Sequence, residues 1–447
     1  MDKDRIDLLG TVPVRRALVK LAIPSIIAML INAIYNLTDT YFIGQLNNSS
    51  AMASITIAFP IMSLVGAIGG TFGVGGGSYL SRLLGEKEYD KASVSTSVSL
   101  FSALVTGLIL TVFMYIFLKP ILLIFGASDS VLPYAMDYTR IIVFANVITM
   151  LNMTLNNLVR AEGAAKHSMY SFLIGSGLNI ILDPIFIFTL NLGVAGAAYA
   201  TLIGKAFSFA YLIYFYIGGK SVAKIGLKYF KPTLNIYKEI LKVGMPSFVR
   251  QGLASISMGM VNSAAKLYGD AAVAGMGVSL RVTFLSFFVL FGYSVGFQPI
   301  AGYSWGSGNF ERLKESIRES MKTITIMSVF FAIVFFFFAR PIVGIFSKVD
   351  EVIHYGVISL RAMAIMMPFL GFQNIVVTLF QAIGKGNQAL VLSLSRQGIF
   401  YIPAIIILPR YFGIIGLIYA QPFADFFTVI VTAILMVFVM KEIRKLQ

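Results

Sequence analysis

Long apolar blocks alternate with short polar segments along the whole chain. Two examples are Ile324–Ala339 and Phe427–Met440, and such blocks recur from one end to the other. A helix that crosses a bilayer needs roughly 20 apolar residues. Read with the Gly, Pro and Asn residues between blocks, the pattern predicts about twelve spanning helices. They should start near residues 17, 51, 93, 133, 168, 193, 237, 276, 318, 355, 388 and 413.

Composition supports an all-α polytopic membrane protein. Hydrophobic residues make up 57% of the 447 residues and charged residues 12%, whereas soluble proteins carry roughly 25% charged residues. The chain has no Cys and only two His. This excludes disulfides and thiol chemistry and leaves too few His for a metal cluster. We therefore expect no metal beyond Na⁺ and no other cofactor.

The net charge of +15 is a topology signal. Basic residues cluster in alternate loops, above all in 220–242 and at the C-terminus, and the loops between carry none. By the positive-inside rule both termini are predicted to be cytoplasmic, in a multi-pass protein of the cytoplasmic membrane. A nucleic-acid partner is not expected.

The two halves of the chain resemble each other. KLAIPS at 20 matches KVGMPS at 242, KPILLIF at 119 matches RPIVGIF at 340, and GVAGAAYA at 193 matches GIIGLIYA at 413. The offset stays at 220–222 residues. This pattern predicts parallel repeats of six helices each. We assign an N-lobe to residues 1–217, a basic cytoplasmic linker to 218–236 and a C-lobe to 237–447.

Two acidic residues lie inside predicted spans of the N-lobe. Asp39 lies about 9 Å and Asp183 about 10 Å below the outer end of its helix, counting 1.5 Å per residue. Thr201 lies about 12 Å below, and Asn179 is one turn from Asp183 on the same face. A charge at bilayer depth costs ~2.5–3.5 kcal/mol and usually marks a pathway. These oxygens would suit a hard cation or a shared proton.

Other polar residues of the spans have simpler interpretations. Pro184 cannot donate its helical hydrogen bond and is predicted to kink the helix beside Asp183. Glu162 should be an interfacial charge partner of Arg160 and Lys166. Asp425, the one intramembrane acid of the C-lobe, is expected to pair with its counterpart Lys205 across the lobes.

Six segments of the chain resemble the multidrug and toxic compound extrusion (MATE) family, in its bacterial MepA-like and DinF-like branch. The resemblance covers nearly the whole chain and implies two six-helix bundles forming a V around a central cavity. The segments are AIPSII at 22, YNLTDTYFIGQL at 35, GVGGGSYLSRLLG at 73, GLNIILDPIFIF at 177, GVAGAAYAT at 193 and PIAGYSWGSGN at 299.

The resemblance also implies a function, the antiport of lipophilic, often cationic, drugs against H⁺ or Na⁺. The cation site of DinF-like relatives matches Asp39, Asn179, Asp183 and Thr201. Gln251, Gln373 and Gln381 stand where some members carry C-lobe acids, so a second ion site there is not expected.

Met and Phe side chains would receive the drugs. Tyr35, Asn156 and Asn157 are candidate polar contacts, and the protein is expected to act as a monomer.

Three rival functions remain open at this point. A flippase for lipid-linked oligosaccharide would need a strongly basic cavity, and the intramembrane arginines, Arg250 and Arg396 among them, are expected near span ends or faces. A channel or scaffold would not perform uphill efflux. An enzyme is disfavoured because the chain has no Cys and its glycine-rich GVGGGSYL motif lies on a span rather than in a nucleotide loop.

Overall fold

The computed structural model describes residues 3–46 and 48–446, and the regular secondary structure of the described residues is helical. A short helix α1 precedes the spanning helices, and two short helices, α5 and α12, follow the third span of each lobe. The helices are α1 (Lys3–Gly10), α2 (Val14–Gly44), α3 (Ser49–Gly85), α4 (Tyr89–Ile116), α5 (Leu118–Ile124), α6 (Leu132–Ala161), α7 (Ala165–Pro184), α8 (Gly193–Ile217), α9 (Leu234–Lys266), α10 (Asp270–Gly306), α11 (Phe310–Phe337), α12 (Ala339–Phe346), α13 (Asp350–Ala382), α14 (Gly386–Leu394) and α15 (Ile402–Lys445).

Helices dominate because a backbone in lipid must satisfy its own hydrogen bonds. Ten helical segments of the described chain are long and apolar enough to cross a membrane. One of them, Gly386–Lys445, contains two spans, because Gly413 adopts φ 59° and ψ −142° inside α15 and interrupts the helix. The 33-residue α9 brings the number to twelve. The predicted fold class is confirmed, and each predicted start lies within eight residues of the observed one.

The two lobes are joined at the end of the molecule that carries both chain termini, here called the terminal face. Ser78 Oγ donates to the Gln381 carbonyl, and Arg82 forms an ion pair of 2.8 Å with Glu239. Arg312 in α11 donates to the carbonyl of Leu9 in α1 at 2.8 Å. These contacts join the lobes at this face, where the V implied by the family resemblance would have its apex.

Glycines allow the helices of the two lobes to touch backbone to backbone. A Cβ on Gly75 would lie 2.0 Å from the Ile240 carbonyl oxygen, and one on Gly296 would lie 2.5 Å from Ala22 Cα. Neither position leaves room for a side chain, so the lobes pack closely along α3–α9 and α2–α10. The glycines of the α3 segment are therefore packing residues, as small residues commonly are between membrane helices.

The linker is attached to the N-lobe over most of its length. Both carboxylate oxygens of Glu162 accept from Ser221 Oγ, at 2.7 and 2.8 Å, and one accepts from Val222 N at 2.9 Å. Further on, Ser93 Oγ accepts from Lys224 N at 3.0 Å. The predicted role of Glu162 as an interfacial partner of Arg160 and Lys166 was wrong, because its side chain is buried and holds the linker instead.

Replacing Gly75 by Val should separate the lobes at the terminal face. Its Cβ contact must lengthen by about 1.5–2 Å to reach ordinary van der Waals separation, and its neighbour is backbone. The chain has no Cys, so spin labels at Lys166 and Lys441, both exposed on this face, would report a longer distance. Gly70→Val is the control, because its Cβ meets nothing within 4 Å. An unchanged label distance in a folded Gly75→Val protein would contradict this packing.

Glu162 should make stability depend on pH. Burial raises the pKa of Glu162 from an ordinary value of 4.5 to about 7, against the opposing hydrogen bonds of Ser221 and Val222 and the charge of Arg5. The folded protein then binds this proton more tightly than the unfolded chain, so stability falls as pH rises from 4.5 to 7 and levels off above. The loss is about 3 kcal/mol at most. Melting temperatures of Glu162→Gln should lack this part of the slope, and those of the exposed-residue control Glu86→Gln should keep it.

Candidate functional site

Helices α7 and α8 bring the predicted polar residues of the N-lobe together. The two helices approach closely at two glycines, since a Cβ on Gly204 would lie 2.4 Å from the Gly175 carbonyl oxygen. One turn further along α7, Asn179 therefore faces α8. Asn179, Asp183 and Thr201 are 2%, 0% and 2% exposed, so none of them contacts lipid or bulk water.

These three side chains form one hydrogen-bonded group. In the amide orientation that satisfies both neighbours, Asn179 donates to Asp183 Oδ2 at 3.0 Å. Its side-chain oxygen then accepts from Thr201 N at 3.0 Å and from Thr201 Oγ1 at 3.3 Å. The amide thus connects the carboxylate on α7 to the hydroxyl on α8, and three of the four residues of the sequence-predicted cluster form one contact network.

Helix α2 contributes the other two predicted residues. The Tyr35 hydroxyl lies 3.3 Å from Thr201 Oγ1, so this tyrosine is part of the polar group, and its predicted role as a drug contact stays a prediction. Asp39 is half-buried, and its Oδ1 is buried without a hydrogen-bond partner. The charges of Asp39 and Asp183 interact electrostatically. An unpartnered carboxylate oxygen beside a buried carboxyl is an acceptor available to a cation or a proton.

Two residues of this site were missed at the level of the sequence. Lys205, one turn beyond Thr201 on α8, interacts electrostatically with Asp39 and donates to Thr149 Oγ1 at 3.0 Å. Tyr138 on α6 is 1% exposed and interacts electrostatically with both Asp39 and Asp183. The four-residue spacing between Thr201 and Lys205 was a signal that could have placed this lysine on the same helix face.

Pro184 changes the helix type directly beside Asp183. The α-helical part of α7 ends at this proline, and a π-helix covers Ile185–Thr189. Proline lacks the amide hydrogen that would close the preceding turn, and wider π turns often occur at functional sites. The helix next to the carboxyl is therefore irregular, and the kink that the sequence predicts at Pro184 stays a prediction.

The two candidate asparagines lie away from the Asp183 cluster. Asn156 is 3% exposed, donates to the Asn152 carbonyl and accepts from Ser168 Oγ at 2.8 Å, so its polar atoms are engaged inside the N-lobe. Asn157 accepts from Arg160 at 2.8 Å and lines a small pocket with Val295 of the C-lobe. Asn157 therefore lies at the junction of the lobes.

The C-lobe contains a second polar group, with a different composition. Asp425 accepts from Arg396 Nε at 2.7 Å and from Gln421 at 3.0 Å. The expected pairing of Asp425 with Lys205 was wrong, because each of these residues bonds within its own lobe. Arg250 and Arg396 line one pocket with Gln373, Asn374 and Thr428. The expectation that these arginines lie near span ends or faces was also wrong.

Among the described residues, no group of three or more His, Asp and Glu side chains could hold a metal ion in the usual way. The N-lobe group offers instead two carboxylates, an amide oxygen and hydroxyls. That set can accept a proton, or supply oxygen ligands to a monovalent cation. It has no nucleophile and base in contact that would indicate hydrolytic chemistry.

Two six-helix lobes joined at one face, each with polar groups buried at membrane depth, define a multi-pass membrane transporter. The chain belongs to the MatE family, whose family model matches residues 24–185 and 246–407, one match in each lobe. The predicted family is thereby confirmed, as is the prediction of a transporter rather than an enzyme.

Named relatives and solved structures agree with this membership. The chain is 32% identical over 429 residues to the multidrug export protein MepA of Staphylococcus haemolyticus (strain JCSC1435), covering 96% of this chain and 94% of the relative. It is 29% identical over 430 residues to MepA of Staphylococcus aureus (strain MRSA252), covering 96% and 95%. It also matches the outward-facing structure of a multidrug resistance MATE family transporter of the MOP superfamily, with a TM-score of 0.93, 27% identity and 98% coverage of each chain.

Replacing Thr201 by Val should destabilise the site. Valine keeps the shape but removes the hydroxyl that contacts Tyr35 and Asn179, and buried polar groups left unsatisfied cost about 1–3 kcal/mol. We expect a lower melting temperature for the purified variant. Thr139→Val is the matched control, because Thr139 is buried in the same lobe and its hydroxyl has no partner. Equal melting temperatures for the two variants would show that the hydrogen bonds of Thr201 do not contribute to the stability of the protein.

Proposed function

We propose that the protein is a cation-coupled multidrug antiporter that exports lipophilic cationic compounds across the cytoplasmic membrane by alternating access. The buried group of Asp183, Asn179 and Thr201, with the open acceptor of Asp39 beside it, is the observation that carries the proposal. The printed names of the relatives describe multidrug export proteins, which supports the substrate class.

The coupling ion binds at the N-lobe group. Burial disfavours a charged carboxyl, and two interacting carboxyls titrate as a pair rather than singly. A proton would neutralise one carboxyl of the pair, and Na⁺ would use the oxygens of Asp39, Asn179, Asp183 and Thr201. Both ions suit an oxygen-rich group, so H⁺ and Na⁺ are the two candidate coupling ions.

The cargo and the ion compete through a shared conformation. With the cleft open away from the terminal face, ion binding neutralises the Asp39–Asp183 pair and removes the negative field that holds a cationic drug. The irregular helix at Pro184 and the nearby α2 then adjust, and the drug leaves. Because binding linkage is reciprocal, the drug must weaken ion binding by the same factor.

The orientation follows from the charge bias of the loops. The linker, the C-terminus and the first turns of α11 carry the Lys and Arg clusters, and all lie on the terminal face. We place this face in the cytoplasm, so the cleft faces outward. The protein is proposed to work as a monomer. This direction matches a transporter that releases cargo outside the cell.

Proteoliposomes loaded with ethidium test the proposal. We expect accumulation or efflux of the dye only when a pH gradient or a Na⁺ gradient is imposed, and the two gradients applied separately identify the ion. Asp183→Asn should lose coupling, with an activity drop of at least about tenfold, as expected when a charge-assisted interaction is removed.

Asp137→Asn provides the control for that experiment, because Asp137 is an exposed carboxylate of the same lobe. It should transport like the wild type. Gradient-dependent efflux that persists in Asp183→Asn would remove this carboxyl from the coupling site, and gradient-independent dye movement in the wild type would argue for a channel.

A further inference from the structure

The charged groups inside the C-lobe do not balance. Arg250 and Arg396 line the same pocket, and Asp425 is engaged with Arg396. Arg250 stacks its guanidinium on the ring of Phe291, 5.3 Å from the ring centre, and in the described part of the chain no carboxylate pairs with it. The pocket therefore holds one more positive charge than negative, at the depth of the membrane-spanning helices.

Uncharged polar groups around this pocket also lack partners. Asn374 Nδ2, Gln373 Oε1 and Gln397 Oε1 are buried without hydrogen bonds, and all three residues line the pocket. Gln373 and Asn374 are 4% and 7% exposed. Buried polar groups are normally satisfied, so an unpartnered donor beside an unpaired guanidinium calls for an explanation. An oxyanion that enters the pocket would accept from Arg250 and from Asn374 Nδ2. The free oxygens of Gln373 and Gln397 are acceptors, which only a donor such as water can satisfy.

The pocket is small and is not sealed. Its open volume is about 30 Å³, enough for a couple of water-sized groups and not for a whole drug molecule. The side chain of Arg396 keeps 21% of its exposure, so the pocket is reachable. A ligand would therefore insert one small acidic group and leave its larger body outside.

We propose that this pocket, with Arg250, Arg396 and Asn374 as its hydrogen-bond donors, is a carboxylate-binding subsite for the acidic group of amphiphilic substrates. A planar guanidinium binds a carboxylate through two parallel hydrogen bonds, and Arg is weakly hydrated, which favours its use in buried recognition. Phe291 beneath Arg250 keeps the guanidinium in place by cation–π contact.

The subsite complements the acidic N-lobe. This inference rests on the proposed export of small aromatic molecules and names the C-lobe side chains that would bind the acidic group of such a molecule. It requires no gradient, so it can be tested by binding alone.

Rhodamine 110 and rhodamine 123 provide a matched pair of probes, since the second is the methyl ester of the first and lacks only its free carboxylate. Binding of each dye would be measured by fluorescence anisotropy with the full-length protein in phosphatidylcholine nanodiscs. We expect Arg250→Gln to weaken rhodamine 110 by at least about tenfold, the scale of a charge-assisted hydrogen bond, and to leave rhodamine 123 unchanged. Arg250→Lys should lose less.

Arg361→Gln is the matched control, because Arg361 is an exposed arginine of the same lobe that donates to the Phe336 carbonyl. It should bind both dyes like the wild type. An unchanged rhodamine 110 affinity in Arg250→Gln, an equal loss for both dyes, or no binding of rhodamine 110 to the wild type would each overturn the subsite.

A lipid phosphate is the other source of a suitable oxyanion. The measurement is repeated with phosphatidylglycerol in the nanodiscs. If that lipid lowers the rhodamine 110 affinity of the wild type to the level of Arg250→Gln, the site belongs to a lipid head group and the substrate proposal fails. If the wild-type protein shows no gradient-driven ethidium antiport but the rhodamine binding results are as expected, the proposed cation coupling is overturned and the subsite is retained.

Discussion

An unmatched charge among hydrocarbon chains is costly, and this cost decides where the protein keeps its ionisable side chains. Two groups of ionisable side chains lie inside the spans, one in each lobe. The N-lobe group has Asp39 and Asp183 with Lys205, and the C-lobe group has Arg250 and Arg396 with Asp425. Each group has two residues of one charge sign and one residue of the opposite sign. The unbalanced charge, negative in the N-lobe group and positive in the C-lobe group, can attract a charged ligand.

The repeat preserves the backbone and not the chemistry. The two matches to the family model cover equivalent parts of the lobes. The side chains can differ between the lobes because a spanning helix satisfies its own backbone hydrogen bonds. At the level of charge the halves are reversed. Lys205 and Asp425 occupy corresponding positions 220 residues apart. Each is the single residue of opposite charge in its own buried group. A single duplicated scaffold thus holds two buried groups of opposite dominant charge, one in each lobe.

Much of the N-lobe site could be predicted from the sequence, because depth along a helix follows directly from residue counting. Asn179, Asp183 and Thr201 share a level, and in the structure they share hydrogen bonds. Side-chain reach is harder to predict. Lys205 turned toward Asp39 rather than toward Asp425, and Glu162 turned inward to the linker. Both outcomes depend on which helix packs alongside, and a single chain without its neighbours does not contain that information.

Backbone irregularities were predicted unevenly for a similar reason. Pro184 removes a hydrogen bond wherever it is placed, so a break beside Asp183 was foreseeable. The π-helix at Ser395–Tyr401, which carries Arg396, was not predicted, although Pro403, two residues after its end, was a comparable signal. The break at Gly413 depends on a positive φ that glycine permits but does not require. Arg396 consequently faced a pocket that residue counting did not reveal.

The attachment of the linker to the N-lobe sets a limit on how the lobes can move. Ser221, Val222 and Lys224 are fastened to the N-lobe, and Phe230 packs on Phe101 with ring centres 5.4 Å apart. Only residues 231–233 form an unattached connection before α9 begins, and three extended residues span about 10 Å. Any opening of the terminal face must therefore be a tilt about a short tether, or must first unfasten the chain that joins the two halves.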